Sequence, residues 1–261
     1  MRTKNGLIFF LIVLLLAAII ATGYIMAAFY GNPFVKWRAT GDMRHYVLSQ
    51  YPHLIDPRLS EIRYNFKDES YATHITADNA IDMHFDVFWQ QEEMWDNYAH
   101  AVTGGQNTRD RLGEAAALDI ARELRSLGSF EVFVDATPEE AALHFPMDTA
   151  YERGRIPTGQ ISLLQQSSLI SAKGADEGTA EYLASLIPRI YEILERQGFA
   201  TRRIDLTLSN QNYISQYHVF SITPADAAGP DLEQRLRELE RSFYSNPEAA
   251  FQQDELRVII Q

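Results

Sequence analysis

The hydrophobic pattern of the chain begins with one unbroken block. Residues 7–30 (LIFFLIVLLLAAIIATGYIMAAFY) carry no charge. At a helical rise of about 1.5 Å per residue they span roughly 36 Å, enough to cross a bilayer core of about 30 Å with some tilt. A cleavable leader has a shorter apolar core and a small-x-small cleavage site. Ala21-Thr22-Gly23 could serve as one, but the run stays apolar beyond it. The pattern therefore predicts a retained transmembrane anchor. Arg2 and Lys4 precede it, and Tyr30, Phe34 and Trp37 follow as interface anchors. Basic residues before the span favour a cytoplasmic tip at 1–6 and a body outside the cytoplasm, although Lys36, Arg38 and Arg44 on the far flank weaken that bias.

Beyond the block the periodicity changes repeatedly. Gly31-Asn32-Pro33 ends the membrane helix, because the residue before proline avoids the α region. A helix over 36–50 follows, with Trp37, Met43, Val47 and Leu48 as its apolar positions, closed by Tyr51-Pro52. Period-two alternation then marks strands at 60–67, 71–76 and 80–89, with turns at Asp68-Glu69-Ser70 and Ala77-Asp78-Asn79. That is an antiparallel three-stranded meander with one packed and one wet face. A helical stretch from Gln91 carries Met94, Trp95 and Tyr98 and stops at Gly104-Gly105. A second helix, capped by Asn107 or Thr108, runs through Leu112, Ala116, Ile120 and Leu124 to Gly128. These elements predict a first domain over 31–128.

A second domain over 129–261 opens with Phe130, Val132 and Val134 alternating with polar residues. Thr137-Pro138-Glu139-Glu140 reads as a capping box with proline at N1. Residues 145–176 are rich in Pro, Gly and Ser and show one strand, at 160–165. A helix over 177–197 carries Tyr182, Leu183, Leu186, Ile190 and Leu194, with Pro188 inside it and Gly198 at its end. Strands at 204–208 and 214–222 flank an Asn210-Gln211-Asn212 turn. A helix over 230–245 and a closing strand at Val258–Ile260 complete the order β, α, β, β, α, β, a ferredoxin-like pattern with an insertion after the first strand. The fold class is α+β: a transmembrane helix, a helix-plus-meander module and a ferredoxin-like module.

Composition narrows the function classes. Of 261 residues 46% are hydrophobic and 22% charged, as in ordinary folded chains, and there is no cysteine. Disulfides, thiolate metal sites and a cysteine nucleophile are thereby excluded. The net charge is -12, and since Arg2, Lys4, Lys36, Arg38 and Arg44 face only Asp42 in the first 44 residues, the rest is more acidic still. Such a body is unsuited to nucleic acid, whose phosphates need clustered Lys and Arg.

The candidate chemistry lies in the meander. Asp82, His84 and Asp86 alternate with Met83, Phe85 and Val87, and pairing of the neighbouring strand would bring His74 to the same face. Imidazoles and carboxylates in that arrangement could hold zinc or manganese and activate water, the signature of a metal-dependent hydrolase. The competing reading is the solvated side of a half-buried sheet, and flat sheet faces make poor pockets. That second reading is the better supported, with Asp82, His84, Asp86 and Trp89 as a binding surface, no catalytic residue, no metal and no cofactor. His-Glu-x-x-His, Gly-x-Ser-x-Gly, Walker and dinucleotide motifs are absent, and Ser167, Ser168, Ser171 and Lys173 do not reproduce the Ser-x-x-Lys set. Glu92, Glu93 and Asp96 read as complements to a helix dipole. Of Phe88 and Trp89, one must leave the sheet's own core.

Gly31-Asn32-Pro33-Phe34, the helix ending Tyr51-Pro52, Ile62-Arg63-Tyr64-Asn65-Phe66-Lys67-Asp68, Phe85-Asp86-Val87-Phe88-Trp89, Asp96-Asn97-Tyr98 and Asn107-Thr108-Arg109-Asp110-Arg111-Leu112 resemble the YfjL-like proteins of Bacillus and its relatives, over roughly 1–115. The resemblance implies a membrane-anchored protein without an assigned activity. It supplies no catalytic residues. The layout is also similar to the cystatin-like fold of PepSY domains, which are associated with binding and inhibition. The expectation is a single-pass cell-membrane protein whose extracytoplasmic body binds a protein or peptide partner.

Overall fold

The computed structural model describes residues 2–136, 145–156, 158–171, 174–245 and 256–260. The capping box read at 137–140 lies outside them, as do His144 and Lys173. The chain is a mixed α/β protein that divides into two compact units, Met1–Asn107 and Thr108–Gln261.

The first unit starts with helix α1, Arg2–Tyr30. From Phe10 onward its residues are exposed, with only Ala27 partly covered, and it is long and apolar enough to cross a membrane. Gly31 stops it at φ +80, where a Cβ would lie 2.9 Å from the Tyr64 ring and from the Tyr71 hydroxyl. Only glycine lets the backbone pass there. Asn32 then caps helix α2, Pro33–Gln50, its side chain accepting from the Phe34 N–H at 2.9 Å. This cap, with Pro33 at the first turn, starts α2 three residues earlier than the apolar pattern predicts. Ala39, Met43 and Val47, one helical turn apart, are fully buried, whereas Trp37 and Leu48 are exposed.

The first sheet contains β1 (Arg58–Leu59), β2 (Arg63–Asn65), β3 (Ser70–Thr76), β4 (His84–Gln90) and β5 (Glu93–Asp96). Its order is β1-β3-β4-β5, with β2 also paired to β3, and every pairing is antiparallel. Tyr71 and Ile75 of β3 and Phe85, Val87 and Trp89 of β4 form one core with Ala39, Met43 and Val47 of α2.

Two expectations fail here for local reasons. β4 begins at His84, not at residue 80, because the preceding turn is pinned elsewhere. Asn79 accepts from the Ile55 N–H at 2.7 Å and donates to the His53 carbonyl at 3.0 Å. The helix expected from Gln91 is instead strand β5, followed by a short π-helix at Ala99–Thr103. Gln91 and Glu92 sit at φ 49 and 74, so they form a two-residue turn of the left-handed kind that joins Gln90 to its partner Glu93.

Helix α3, Gln106–Glu123, begins at the boundary between the units. Its Ile120, with Leu124 just beyond, enters the core of the second unit. A Cβ at Gly113 would meet the Val134 carbonyl oxygen at 2.5 Å, so α3 and the chain at Val134 approach closely only because that residue is glycine. The helix read as the end of the first domain therefore packs within the second unit.

The second sheet is built from β6 (Glu131–Asp135), β7 (Gln160–Gln166), β10 (Arg203–Ser209), β11 (Gln216–Ile222) and β12 (Arg257–Ile260) in the order β12-β11-β10-β7-β6, with β8 (Ile170–Ser171) and β9 (Gly174–Ala175) forming a ribbon of their own. β7 and β10 are parallel, and helix α4, Thr179–Arg196, connects them. A ferredoxin-like arrangement would place another strand between two such parallel strands. Here they are direct neighbours, so the finer topology read from the sequence does not form. Helices α5 (Pro224–Ala228) and α6 (Leu232–Ser245) follow β11. Leu183, Ile187, Ile190 and Leu194 of α4 and Leu232 and Leu236 of α6 share one aliphatic core with Ile161, Leu163, Leu206 and Val219 of the sheet.

The segment 145–156, unreadable in the sequence, is held by Arg153. Its guanidinium donates to Asp119 at 2.7 and 2.5 Å, to Glu123 at 2.9 Å and to the Gln197 side-chain oxygen at 2.9 Å. Tyr151 donates to Asp119 at 3.0 Å. The Arg153 guanidinium, with help from the Tyr151 hydroxyl, holds the Asp119 carboxyl below the usual carboxylate range against the opposing effect of burial.

Candidate functional site

The period-two geometry of β3 and β4 leaves one face of the first sheet open. Ala72, His74 and Thr76 of β3 and His84, Asp86, Phe88 and Gln90 of β4 are partly or fully exposed, alternating with the buried set. Register brings them together in rows. One row runs Arg63, Ala72, Phe88, Trp95, from β2 to β5. The next pairs His74 with Asp86, and the third pairs Thr76 with His84.

The side chains follow those rows. His74 Nδ1 lies 2.8 Å from Asp86 Oδ1, and its ring centroid is 5.2 Å from that of His84. Asn97 accepts the Asp86 N–H at 2.7 Å. Phe88 and Trp95 stack with centroids 5.6 Å apart and planes 13° from parallel, and Trp95 is still 43% exposed. The arrangement is a flat, amphipathic surface: a two-ring apolar plate beside an imidazole–carboxylate group. A half-exposed pair such as His74–Asp86 contributes at most about 1 kcal/mol to folding, so its polar groups are available for contacts.

Two residues expected on this surface are elsewhere. Asp82 precedes β4 and is 2% exposed. Its carbonyl receives the Asn107 amide at 2.9 Å and the His84 N–H at 3.0 Å. It breaks the Asp82–His84–Asp86 alternation because the strand has not yet begun. Trp89 points inward, is 5% exposed and donates its indole N–H to Asp42 at 3.2 Å. Phe88 is thus the member of the Phe88–Trp89 pair that leaves the core. With Asp82 removed, the four-ligand set His74, Asp82, His84 and Asp86 is not assembled, and among the described residues no group of three or more His, Asp or Glu is placed to hold a metal.

Sequence reasoning missed a second cluster, around Asp96. Its Oδ2 accepts from the hydroxyls of Tyr46 and Tyr51, both at 2.7 Å, and Oδ1 accepts the Tyr98 N–H at 2.9 Å. Tyr51 stacks on Tyr98 at 4.4 Å, and His53 Nε2 meets the Tyr98 hydroxyl at 3.0 Å. Burial first, then the hydrogen bond to Asp96 and its charge, push the Tyr46 phenol up to about 12, and Tyr51 is raised further by the same causes. These phenols stay protonated donors at any ordinary pH. The cluster fastens α2 and the chain after it to β5; it is not poised for proton transfer. The signal for it was Asp96 two residues before Tyr98, which a helical reading of 91–104 concealed.

The fold and this surface define a class: a mixed α/β protein with a membrane-length helix leading into a sheet that keeps one amphipathic face open. Residues 4–97, just over a third of the chain, match the family model for the YfjL-like, N-terminal domain, so this part of the chain is similar to that family. No curated protein and no solved structure matches the chain.

Proposed function

We propose that this protein is a single-pass membrane-anchored binding module, with α1 retained as the anchor, the body outside the cytoplasm and the open sheet face of the first unit as the docking surface for a protein or peptide partner. The observation that carries the reading is the exposed Phe88–Trp95 stack beside His74, His84 and Asp86 on one face. Flat aromatic plates flanked by polar groups are where binding energy concentrates in protein interfaces.

The anchor is supported by the exposed apolar length of α1 and by Phe34 and Trp37, which are also exposed just beyond it and suit the headgroup layer. Arg2 and Lys4 favour the cytoplasmic side for the N-terminus. Similarity to the PepSY layout supports binding by analogy of fold alone. A metal-dependent hydrolase is the weaker reading, since its ligand set would need Asp82 on the open face.

Because the chain has no cysteine, a single introduced thiol reports orientation without background. Leu118, which is exposed, is a suitable position. Leu118→Cys should react with a membrane-impermeant maleimide in intact cells. Labelling only after permeabilisation would place the body in the cytoplasm and defeat this reading. So would recovery of the full chain in the soluble fraction without detergent.

A further inference from the structure

The second unit has a depression unrelated to the open sheet face. Its floor lies where the neighbouring parallel strands β7 and β10 end, and its lips are the loops that leave them. A cavity of about 500 Å³ there is lined by Gln166, Ser167, Ser168, Ile170, Ser171, Asn210, Gln211 and Asn212. The carboxyl ends of parallel strands are where open α/β sheets place ligands, because the loops diverge there. The volume falls within the range of small-molecule sites.

The lining is unusual in its chemistry. Apart from Ile170, every one of these side chains is an uncharged amide or hydroxyl, and none carries a charge. Each amide offers both donors and an acceptor, and each hydroxyl offers both. The lips are held in place. Ser167 N–H donates to the Ser209 carbonyl at 2.8 Å, Asn210 N–H to the Ser215 carbonyl at 3.1 Å, and Ile214 N–H to the Asn210 side-chain oxygen at 3.0 Å.

Tyr213, beside the lining residue Asn212 in sequence, has φ 56, and its hydroxyl accepts from the lining residue Gln166 at 2.7 Å and donates to Glu131 at 2.9 Å. Tyr213 as a whole is 41% exposed. The side chains of Ser168, Gln211 and Asn212, by contrast, make no hydrogen bond to described residues. An open depression that leaves these side chains free for contacts, with Tyr213 next to Asn212, suits an uncharged ligand rich in hydroxyls. A phosphate or carboxylate would meet no cationic side chain in this lining, and an apolar ligand would desolvate the amides without replacing their hydrogen bonds. Vicinal hydroxyls satisfy donors and acceptors in pairs, and the apolar face of a pyranose ring suits a tyrosine.

We infer that this depression binds an uncharged saccharide. The site is separate from the proposed docking face, so it stands or falls independently of that reading. The test uses the full chain in lipid nanodiscs, free of sugar-headgroup detergents, with maltotriose and triacetylchitotriose as probes in saturation-transfer NMR. Ring-proton signals should appear for at least one probe. Gln211→Ala/Asn212→Ala, with both positions exposed, should weaken binding about tenfold, the loss of one to two hydrogen bonds. His74→Ala/Asp86→Ala should leave it unchanged. No transfer to either probe, or transfer undiminished in the Gln211→Ala/Asn212→Ala chain, overturns the assignment.

Discussion

The two sheets bury their inner faces in different ways. In the second unit the cover is aliphatic: α4 and α6 lay Leu and Ile side chains on Ile161, Leu163, Leu206 and Val219. In the first unit the cover is helix α2 with Ala101 and Val102 of the short π-helix, and aromatic rings and polar bonds complete it. Trp89 reaches Asp42, Tyr71 receives the Asn32 N–H at 3.0 Å, and Tyr46 and Tyr51 share Asp96. The second unit should therefore be most sensitive to lost volume, and the first to lost hydrogen-bond partners. A small unit that closes its core with directional bonds can keep a flat outer face free, and that face is where we place binding.

Substitutions can sharpen this contrast. The largest effect is expected from Leu183→Ala, at a position with no exposure in the aliphatic core. It should cost about 2–5 kcal/mol, read as a lower denaturation midpoint of the helical circular-dichroism signal. Next comes Arg153→Ala. It leaves Asp119, whose side chain is 10% exposed, with only Arg122 at 3.3 Å as a guanidinium partner, for a loss of about 2–3 kcal/mol.

In the first unit Asp96→Ala should cost about 2 kcal/mol by stranding two phenols. All three tryptophans, Trp37, Trp89 and Trp95, lie in that unit, so fluorescence reports its unfolding. A Leu-to-Ala exchange in the second unit that shifted only the fluorescence transition would break the comparison.

The smallest effect is on pH dependence. Burial holds the His218 imidazole below its usual range. Its folded value lies below the unfolded one of about 6.5, so its contribution is present above that pH and declines as pH falls through the folded value. Asp119, held low by Arg153, contributes above about pH 4 and is lost only as pH falls below that. Acidification should weaken the second unit in two steps, and His218→Asn should abolish the upper one. A single step in the native chain would contradict the assignment.

Much of this architecture is visible in the residue pattern. The apolar block, the alternation of β3 and β4, the amphipathic faces of α4 and α6 and the β7 and β10 segments all follow from periods that burial imposes. β5 was concealed because Met94, Trp95 and Tyr98 fit a helical face and because its turn uses Gln91-Glu92, not the glycine-bearing pair that usually signals a hairpin. The order of strands in the second sheet was concealed because periodicity reveals which residues are buried, not which strand lies beside which. For the surface, His74, His84 and Asp86 were legible from alternation, and Asp82 and Trp89 were misplaced. Asp82 lies before the strand starts, and the inward phase of β4 carries Trp89 to Asp42.

The central claim is that the open face of the first sheet exists for contact. A photo-reactive phenylalanine at Thr76, exposed on that face, provides the most direct measurement. In intact cells it should form a discrete cross-linked adduct, and His74→Ala/Trp95→Ala should abolish the adduct while the double variant stays folded, with a stability loss of no more than about 2 kcal/mol. No adduct at Thr76, or an adduct of equal yield in the double variant, would contradict the account.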